Sequence, residues 1–169
     1  LDAGKDMGVR PCQFSTLDML RIESYLLFYP GDNSETFPFE NETCGDTLFE
    51  LGLEFTVSPG KIGFVGSENH FASEGKERFK IFGVQLADSM AQMDMGARVI
   101  QDSADVGVIT YGLSSELNNY SVAIARLSPN AATAGTKLTV VQLDGTELAA
   151  TAEDMPFYDK DKSVRTAKG

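Results

Sequence analysis

Residues 137–151 read KLTVVQLDGTELAAT, and this stretch decides the fold class. Two runs of residues that favour β-structure, Lys137 to Leu143 and Thr146 to Thr151, flank the pair Asp144-Gly145. An Asp-Gly pair between two such runs is typical of a tight hairpin, because a type I′ turn needs a positive φ at both central residues. The stretch therefore predicts two antiparallel strands joined at Asp144-Gly145.

Further strand patterns lie on the N-terminal side of this hairpin. Arg78 to Ala87 alternates between two sets of side chains, as a strand with one buried face does. Val106 to Leu113 and Tyr120 to Leu127 follow, separated by turn-forming residues. Five or six short strands without a helical pattern between them predict a small antiparallel barrel or sandwich over residues 77–158.

The first 76 residues mix helix and strand signals. Met19 to Glu23 alternates with period two, which favours a strand. Gly45 to Leu51 predicts a short helix and Glu54 to Val57 a strand. Ser67 to Glu77 predicts a helix, with the Ser67 hydroxyl as its N-terminal cap.

The predicted fold class is therefore α+β: a partial α/β region over residues 1–76, then a small antiparallel β-barrel over 77–158. Residues 159–169 are polar and charged, and we expect this tail to fray. The chain does not begin with methionine, which predicts that it is a piece of a longer protein.

Composition excludes several classes of function. The chain has 169 residues and a formal net charge of −11, which argues against binding to nucleic acid or to an anionic membrane. No run approaches the ~20 apolar residues of a membrane span, and nothing indicates secretion, so we expect a cytoplasmic protein. Two cysteines and one histidine form neither a disulfide scaffold nor a four-ligand zinc site, and no metal site is predicted.

Glu23 is the first candidate for a binding residue. It lies in the run Leu20-Arg21-Ile22-Glu23, where its carboxylate follows the apolar side chain of Ile22. Such a carboxylate lies either on the solvent face of a strand or inside, where it holds a polar ligand. Its two oxygens suit a ring with adjacent N–H donors, such as a pterin or a guanine edge. Tyr29 could offer a hydroxyl to the same ligand, and Arg21 is most simply an ion-pair partner or a surface residue.

Short motifs in a fixed order resemble the C-terminal half of the folate-dependent aminomethyltransferase family, which includes the glycine cleavage T-protein. Gly8 to Cys12 followed by Asp18 to Glu23 is similar to its G-x-x-P-C … D-x-L-R-L-E segment, and Tyr29 stands where the family has the tyrosine of L-Y-G. The remaining similar segments are Leu51 to Val57, Lys61 to Gly66, Val106 to Gly112, Asn119 to Ala125 and Met155 to Tyr158.

The resemblance implies a parent chain about twice as long, with three domains around a tetrahydrofolate pocket and a C-terminal β-barrel. It implies that residues 1–76 belong to the folate-binding region and that Glu23 holds the pterin, with Tyr29 and Arg21 as further cofactor-binding residues. It places the catalytic acid in the N-terminal half of the parent, so we expect no catalytic residue here and no activity of this chain alone.

The sequence is consistent with two functions of different classes, an enzyme and a non-catalytic module. The first is the C-terminal part of a tetrahydrofolate-dependent aminomethyltransferase or demethylase, which moves a one-carbon group from a small amine or methylated donor to tetrahydrofolate. Its partners are folate, that donor and the N-terminal half of the parent. The second is a non-catalytic binding or structural module with the same fold.

Overall fold

The fold was analysed in a computed structural model that describes residues 2–38, 45–87, 90–115, 117 and 119–166. Six strands form a closed antiparallel barrel in the order β1-β4-β3-β2-β5-β6, and β6 pairs with β1. The strands are β1 Lys80–Leu86, β2 Arg98–Gln101, β3 Ala104–Ser115, β4 Tyr120–Leu127, β5 Lys137–Val141 and β6 Glu147–Glu153. The helices are α1 Phe14–Glu23, α2 Ser67–Ala72 and α3 Ser163–Thr166, with short 3₁₀ helices at Asp2–Met7 and Glu54–Thr56.

The barrel prediction is confirmed, and β4 has the bounds expected from the sequence. Strand β2 was not predicted, because its four residues are too few to show an alternating pattern. The hairpin between β5 and β6 forms at the predicted place but with another turn. Gln142 N and Thr146 O are hydrogen-bonded, and Gly145 alone of the two predicted turn residues has a positive φ. This is a three-residue loop with glycine in the left-handed position, and not a type I′ turn.

Strand β4 explains why the barrel has two apolar layers. Seven of its eight residues are buried. Ala123, Ala125 and Leu127 point into the barrel, while Val122 and Ile124 pack on the outside against Ile22 of α1, as side chains of period two require. Helix α1 contacts β3 and β4 and so covers this outer face.

Three predictions for residues 1–76 are wrong. The strand at Met19–Glu23 is the end of helix α1, the strand at Glu54–Val57 is a 3₁₀ helix over Glu54–Thr56, and Gly45 to Leu51 forms turns. A strand needs a neighbouring strand to satisfy its backbone groups, and all six described strands are paired with one another in the barrel. Helix α2 forms as predicted but is shorter, and the residue at its cap is Gly66 with no side-chain hydrogen bond. In the tail, residues 163–166 form α3.

Two arginines of the barrel side hold the segment that follows residue 44. Arg78 donates from Nε to Glu50 Oε1 at 2.7 Å and from Nη2 to Glu50 Oε2 at 2.9 Å, and Arg126 Nη1 lies 3.1 Å from Asp46 Oδ2. Backbone N–H groups of Thr47 and Arg78 also donate to the buried Glu50 carboxylate. Burial alone would raise the pKa of Glu50, but these hydrogen bonds outweigh it and lower the pKa to about 2.

This carboxylate makes stability depend on acid pH. A pKa depressed in the folded state gives stabilisation that is complete above the unfolded value of 4.5 and is lost as the pH falls towards 2. We therefore expect the urea midpoint to fall between pH 5 and pH 3 by a larger amount in the wild type than in Glu50→Gln. Glu68→Gln, at an exposed glutamate of α2, is the control and should follow the wild type. Parallel pH profiles for Glu50→Gln and the wild type would contradict the prediction.

Candidate functional site

Arg21 is buried although it carries a charge, and helix α1 places it against the barrel. Its Nε donates to Asp18 at 3.1 Å, one helical turn earlier, and its Nη1 donates to Asp32 Oδ2 at 2.8 Å. The guanidinium carbon lies 4.8 Å from the ring centre of Tyr111 in β3 and 5.5 Å from that of Phe28. Ion pairs and two aromatic rings therefore fix the position of the guanidinium group.

Asp32 is the residue that joins the turn after α1 to the barrel. Its Oδ2 accepts from Arg21 and, at 2.7 Å, from the backbone N–H of Phe28. Its Oδ1 accepts from the Thr110 hydroxyl in β3 at 2.5 Å. Because Asp32 is 2% exposed and each oxygen accepts a hydrogen bond, the turn at Pro30 to Asn33 is held against β3.

Tyr111 closes the other side of this polar network. Its hydroxyl donates to Asp18 Oδ2 at 3.0 Å, while its ring packs on Arg21. Burial and the hydrogen bond to Asp18 both raise the pKa of Tyr111, so its hydroxyl stays protonated at neutral pH. Asp18, Arg21 and Asp32 together carry a formal charge of −1.

A cleft of about 390 Å³ opens above this network, within the size range of small-molecule sites. Its walls are mainly apolar, and its polar groups are those of Asp18, Arg21, Thr36, Thr110 and Tyr111. The lining residues are Phe14, Leu17, Asp18, Arg21, Phe28, Pro30, Gly31, Thr36, Met95, Thr110 and Tyr111. Apolar walls with few fixed polar groups suit a flat ring with a limited number of hydrogen-bonding atoms.

Glu23 lies on another side of α1 and does not line this cleft. It is 2% exposed, and its Oε1 accepts from the Ser115 hydroxyl at 2.5 Å. The alternative of a solvent-exposed strand residue paired with Arg21 is therefore wrong. Within the described residues Glu23 forms no ion pair. It ends a helix, where the backbone dipole disfavours negative charge, so its burial is costly.

Tyr29 lies on the surface, and its hydroxyl donates to the Glu35 carboxylate at 2.7 and 2.8 Å from the two oxygens. That hydrogen bond raises the pKa of Tyr29. The structure thus separates the three predicted residues: Arg21 lines the cleft, Tyr29 is exposed on the segment that follows, and Glu23 is buried behind the helix.

Four residues of the site were not found by sequence reasoning: Asp18, Asp32, Thr110 and Tyr111. Asp18, Thr110 and Tyr111 lie in quoted motifs, but their role depends on contacts that no local pattern shows, such as that of Asp32 with Thr110, 78 residues further along the chain. Other chemical candidates stay outside the cleft. His70 stacks on Phe49 with ring centres 4.8 Å apart, and Cys12 is exposed. The described ranges contain no cluster of metal-binding side chains and no helix long and apolar enough to cross a membrane.

A small closed antiparallel barrel, covered on one face by a helix that carries a buried arginine at an apolar cleft, defines the class of fold. Residues 80–159 match the family described as the glycine cleavage T-protein C-terminal barrel domain. The barrel belongs to that family, and the resemblance to the C-terminal half of the folate-dependent aminomethyltransferases is confirmed.

Relatives match over almost the whole chain. The gamma subunit of a heme-dependent oxidative N-demethylase from Ectopseudomonas mendocina is 49% identical over 100% of this chain and 44% of its own length. An aminomethyltransferase from Lysinibacillus sphaericus is 28% identical over 96% of this chain and 41% of its own. A trimethylamine-oxide aldolase from Ruegeria pomeroyi is 30% identical over 96% of this chain and 20% of its own. The chain spans less than half the length of these curated relatives.

A solved structure agrees with the fold. The glycine cleavage system aminomethyltransferase T from Bartonella henselae superimposes with a TM-score of 0.73 at 20% identity, over 87% of this chain and 39% of that one. The likeness covers the fold of most of the chain.

Proposed function

We propose that the parent protein transfers a one-carbon group from a small methylated amine to tetrahydrofolate, and that this chain supplies part of the folate site. The observation that carries the proposal is the buried, ring-flanked Arg21 at the base of an apolar cleft, in a chain whose relatives include aminomethyltransferases and an N-demethylase subunit. When bound, tetrahydrofolate supplies the nitrogen atoms that accept the one-carbon group.

The residues of the cleft fit an aromatic portion of such a cofactor. Phe14, Leu17, Phe28 and Met95 exclude water from a flat ring, and their contact gives affinity without charge. Arg21 is held by Asp18 and Asp32, so it presents a fixed guanidinium edge and loses no conformational freedom when a ligand binds. The role of these residues is to bind and orient, and the proton transfers of catalysis belong to the N-terminal half of the parent.

Glu23 is proposed as the partner of the pterin ring. A buried carboxylate without a described cation partner at a helix C-terminus destabilises the fold, and such costs concentrate at binding sites. A pterin presents adjacent N–H donors that can bond to both carboxylate oxygens, and one of these bonds takes the place of the Ser115 hydroxyl. Tyr29, at the surface, is proposed to offer its hydroxyl to the exposed end of the ligand.

The demethylase relative favours a methylated amine over an aminomethyl group as the form of the one-carbon donor. It is the most identical of the three relatives described above, and it matches every residue of this chain. We propose that the parent protein works beside an amine-oxidising partner and accepts the one-carbon group that such an oxidation releases.

A specific observation favours the second function, a non-catalytic module of the same fold. Arg21 donates hydrogen bonds to Asp18 and Asp32, and these three side chains together carry a net charge of −1. A negative net charge does not attract the carboxylates of folate. A titration of the full-length protein with tetrahydrofolate separates the two functions, because a module without a folate site shows no saturable binding.

Glu23→Gln in the full-length protein tests the proposed pterin contact, which lies on another side of α1 from the cleft. Glutamine keeps the size of the side chain but points an amide donor at a ring donor, and charge-assisted bonds are lost. We expect the dissociation constant for tetrahydrofolate to rise at least about tenfold, or ~1.4 kcal/mol. The melting temperature should not fall, because the substitution removes a buried charge from the C-terminal end of a helix. Glu68→Gln is the control at an exposed position, and residues 1–169 alone should give no turnover. Equal dissociation constants for the wild type and Glu23→Gln would leave Glu23 with a purely structural role.

A further inference from the structure

Tyr25 has a backbone conformation that tyrosine rarely adopts. It follows α1 directly after the cap residue Ser24, and its φ is 56°. Residues other than glycine are strained in this left-handed region, because their Cβ approaches a backbone carbonyl oxygen. Within the described ranges Tyr25 is the one aromatic residue with a positive φ. Its place at the end of α1 therefore requires an explanation.

The backbone of Tyr25 closes the C-terminal end of α1. Its N–H donates to Ile22 O at 3.3 Å, and the N–H of Leu26 donates to Arg21 O at 2.8 Å. This pair of hydrogen bonds is the Schellman motif, which needs a left-handed residue at this position and usually has glycine there. Glycine would form both bonds without strain, so the helix cap does not explain the tyrosine side chain.

The side chain of Tyr25 connects the end of α1 to a segment 26 residues away. Its hydroxyl donates to the Leu51 carbonyl oxygen at 2.9 Å. The approach is so close that a Cβ on Gly52 would lie 2.5 Å from the hydroxyl oxygen. Burial, and after it the carboxylates of Glu54 and Asp32, raise the pKa of Tyr25 to about 12, so the hydroxyl remains a donor at neutral pH.

Residues 47–52, which include this acceptor, are bonded to the barrel side of the molecule. The Glu50 carboxylate is held by Arg78, and the Glu50 carbonyl oxygen accepts from the N–H of Ile81 in β1 at 2.9 Å. The Tyr25 hydroxyl therefore connects the end of α1 to a segment whose own position is fixed by β1.

Glu23 lies in the last turn of α1, which this connection holds. Its carboxylate is buried at the C-terminal end of the helix, where the dipole and the loss of water both disfavour a negative charge. Its Oε1 accepts from Ser115, and its carbonyl oxygen accepts from the N–H of Tyr158 at 3.1 Å. A carboxylate in such surroundings moves to solvent when the last turn opens, so its position depends on the contacts that keep this turn closed.

We propose that Tyr25 is a positioning residue: its hydroxyl fixes the last turn of α1 to residues 47–52 and so holds the Glu23 carboxylate where it meets the pterin ring. The inference rests on the proposed function in one respect, since it takes Glu23 as the pterin contact. The strained backbone of Tyr25 supports it, because strained residues are concentrated at sites that need one particular arrangement.

The first experiment measures tetrahydrofolate binding by Tyr25→Phe in the full-length protein. Phenylalanine keeps the ring and removes only the hydroxyl, so the last turn of α1 must be ordered when the ligand binds. We expect the dissociation constant to rise at least about fivefold. Tyr25→Gly keeps the helix cap, relieves the strain and should raise the dissociation constant at least as much. A dissociation constant equal to that of the wild type in both variants would overturn the proposal.

Ser103→Gly is the matched control for the change to glycine. Ser103 lies in the turn between β2 and β3 with a φ of 68°, so glycine relieves the same kind of strain there without touching α1. Ser103→Gly should leave the dissociation constant unchanged. A rise equal to that of Tyr25→Gly would mean that relief of strain anywhere in the chain weakens binding, which contradicts a specific role of Tyr25.

The second experiment combines Tyr25→Phe with Glu23→Gln. A residue that acts through Glu23 has no further effect once the carboxylate is gone, so the double variant should bind tetrahydrofolate as Glu23→Gln does. A merely structural role would lower the melting temperature and would not produce this pattern in the dissociation constants. Additive losses from the two substitutions would show that Tyr25 acts on the ligand by another route, and the proposal would be wrong.

Hydrogen exchange without folate distinguishes this proposal from the proposed function. The amide of Leu26 should exchange at least about threefold faster in Tyr25→Phe than in the wild type, while Ser103→Gly leaves it unchanged. Equal exchange in the wild type and Tyr25→Phe refutes the positioning role. If Glu23→Gln weakens tetrahydrofolate binding and Tyr25→Phe does not, the proposed function stands and this inference alone fails. If the wild type does not bind tetrahydrofolate, both fail.

Discussion

Arg126→Ala is expected to lower the free energy of unfolding by about 3–5 kcal/mol, because it leaves a buried carboxylate without its cation. Arg126 is 0% exposed, lies 3.1 Å from Asp46 through Nη1, and packs its guanidinium 3.5 Å from the ring centre of Phe79. The Asp46 side chain is 4% exposed, and its Oδ1 has no hydrogen-bond partner among the described residues. Urea unfolding followed by circular dichroism measures the loss.

The chain contains a matched exposed pair as a control. Arg98 lies 2.7 Å from Asp105, with side chains 62% and 48% exposed, and Arg98→Ala should cost less than about 1 kcal/mol. The double variant Arg126→Met with Asp46→Asn removes both charges and should be more stable than Arg126→Ala alone. A loss for Arg126→Ala no larger than that for Arg98→Ala would show that the buried pair does not hold the segment to the barrel.

Gly107→Ala should cost about 3 kcal/mol, at the upper end of the range for overpacking. Gly107 in β3 pairs with Leu127 of β4, and a Cβ at this position would meet the backbone carbonyl oxygen of Arg126 and the side chain of Leu127. Backbone in a closed barrel cannot move at one point without changing its neighbours, so the strain stays. The thermal midpoint and the urea midpoint should both fall.

Gly31→Ala is the control for the same substitution at a position where a Cβ would make only ordinary van der Waals contacts. The nearest atom to its Cβ would be the Phe28 carbonyl oxygen at 3.4 Å, and the φ of Gly31 is not positive. We expect a change of less than about 1 kcal/mol. Equal losses for the two glycines would mean that the cost comes from the glycine itself and not from the close approach of β3 and β4.

Sequence reasoning found the barrel because its signals are local. Tyr120 to Leu127 is a short run of mostly apolar residues, and β4 is buried along nearly its whole length. Asp144-Gly145 marks the hairpin even though the turn is of another type. Helix α1 was missed because Leu20 and Ile22 alternate with Arg21 and Glu23, as in a strand. The buried side chain of Arg21 is paired with Asp32, and that of Glu23 accepts a hydrogen bond from Ser115. Because Ser115 is 92 residues from Glu23, no local sequence pattern could predict this contact.

The candidate site was also predictable only in part from the sequence. Arg21 could be singled out from its motif, but its two rings and two carboxylates come together only when the turn at Asp32 meets β3. The segment Leu53 to Val57 shows the limit of periodicity: its apolar and polar residues alternate, yet it forms a 3₁₀ helix because no strand pairs with it in the described chain.

The pairing of β1 with β6 bears on how the protein is made. Gly83 of β1 lies opposite Glu153 of β6, 70 residues later in the chain. A ribosome that adds 5–20 residues per second takes roughly 4–14 s to synthesise that stretch. During this time one edge of β1 has no partner, and the apolar side chains Val84 and Leu86, which end in the barrel core, are in water. Nascent chains of this protein are therefore expected to need a chaperone that binds apolar strands until the last strand leaves the exit tunnel.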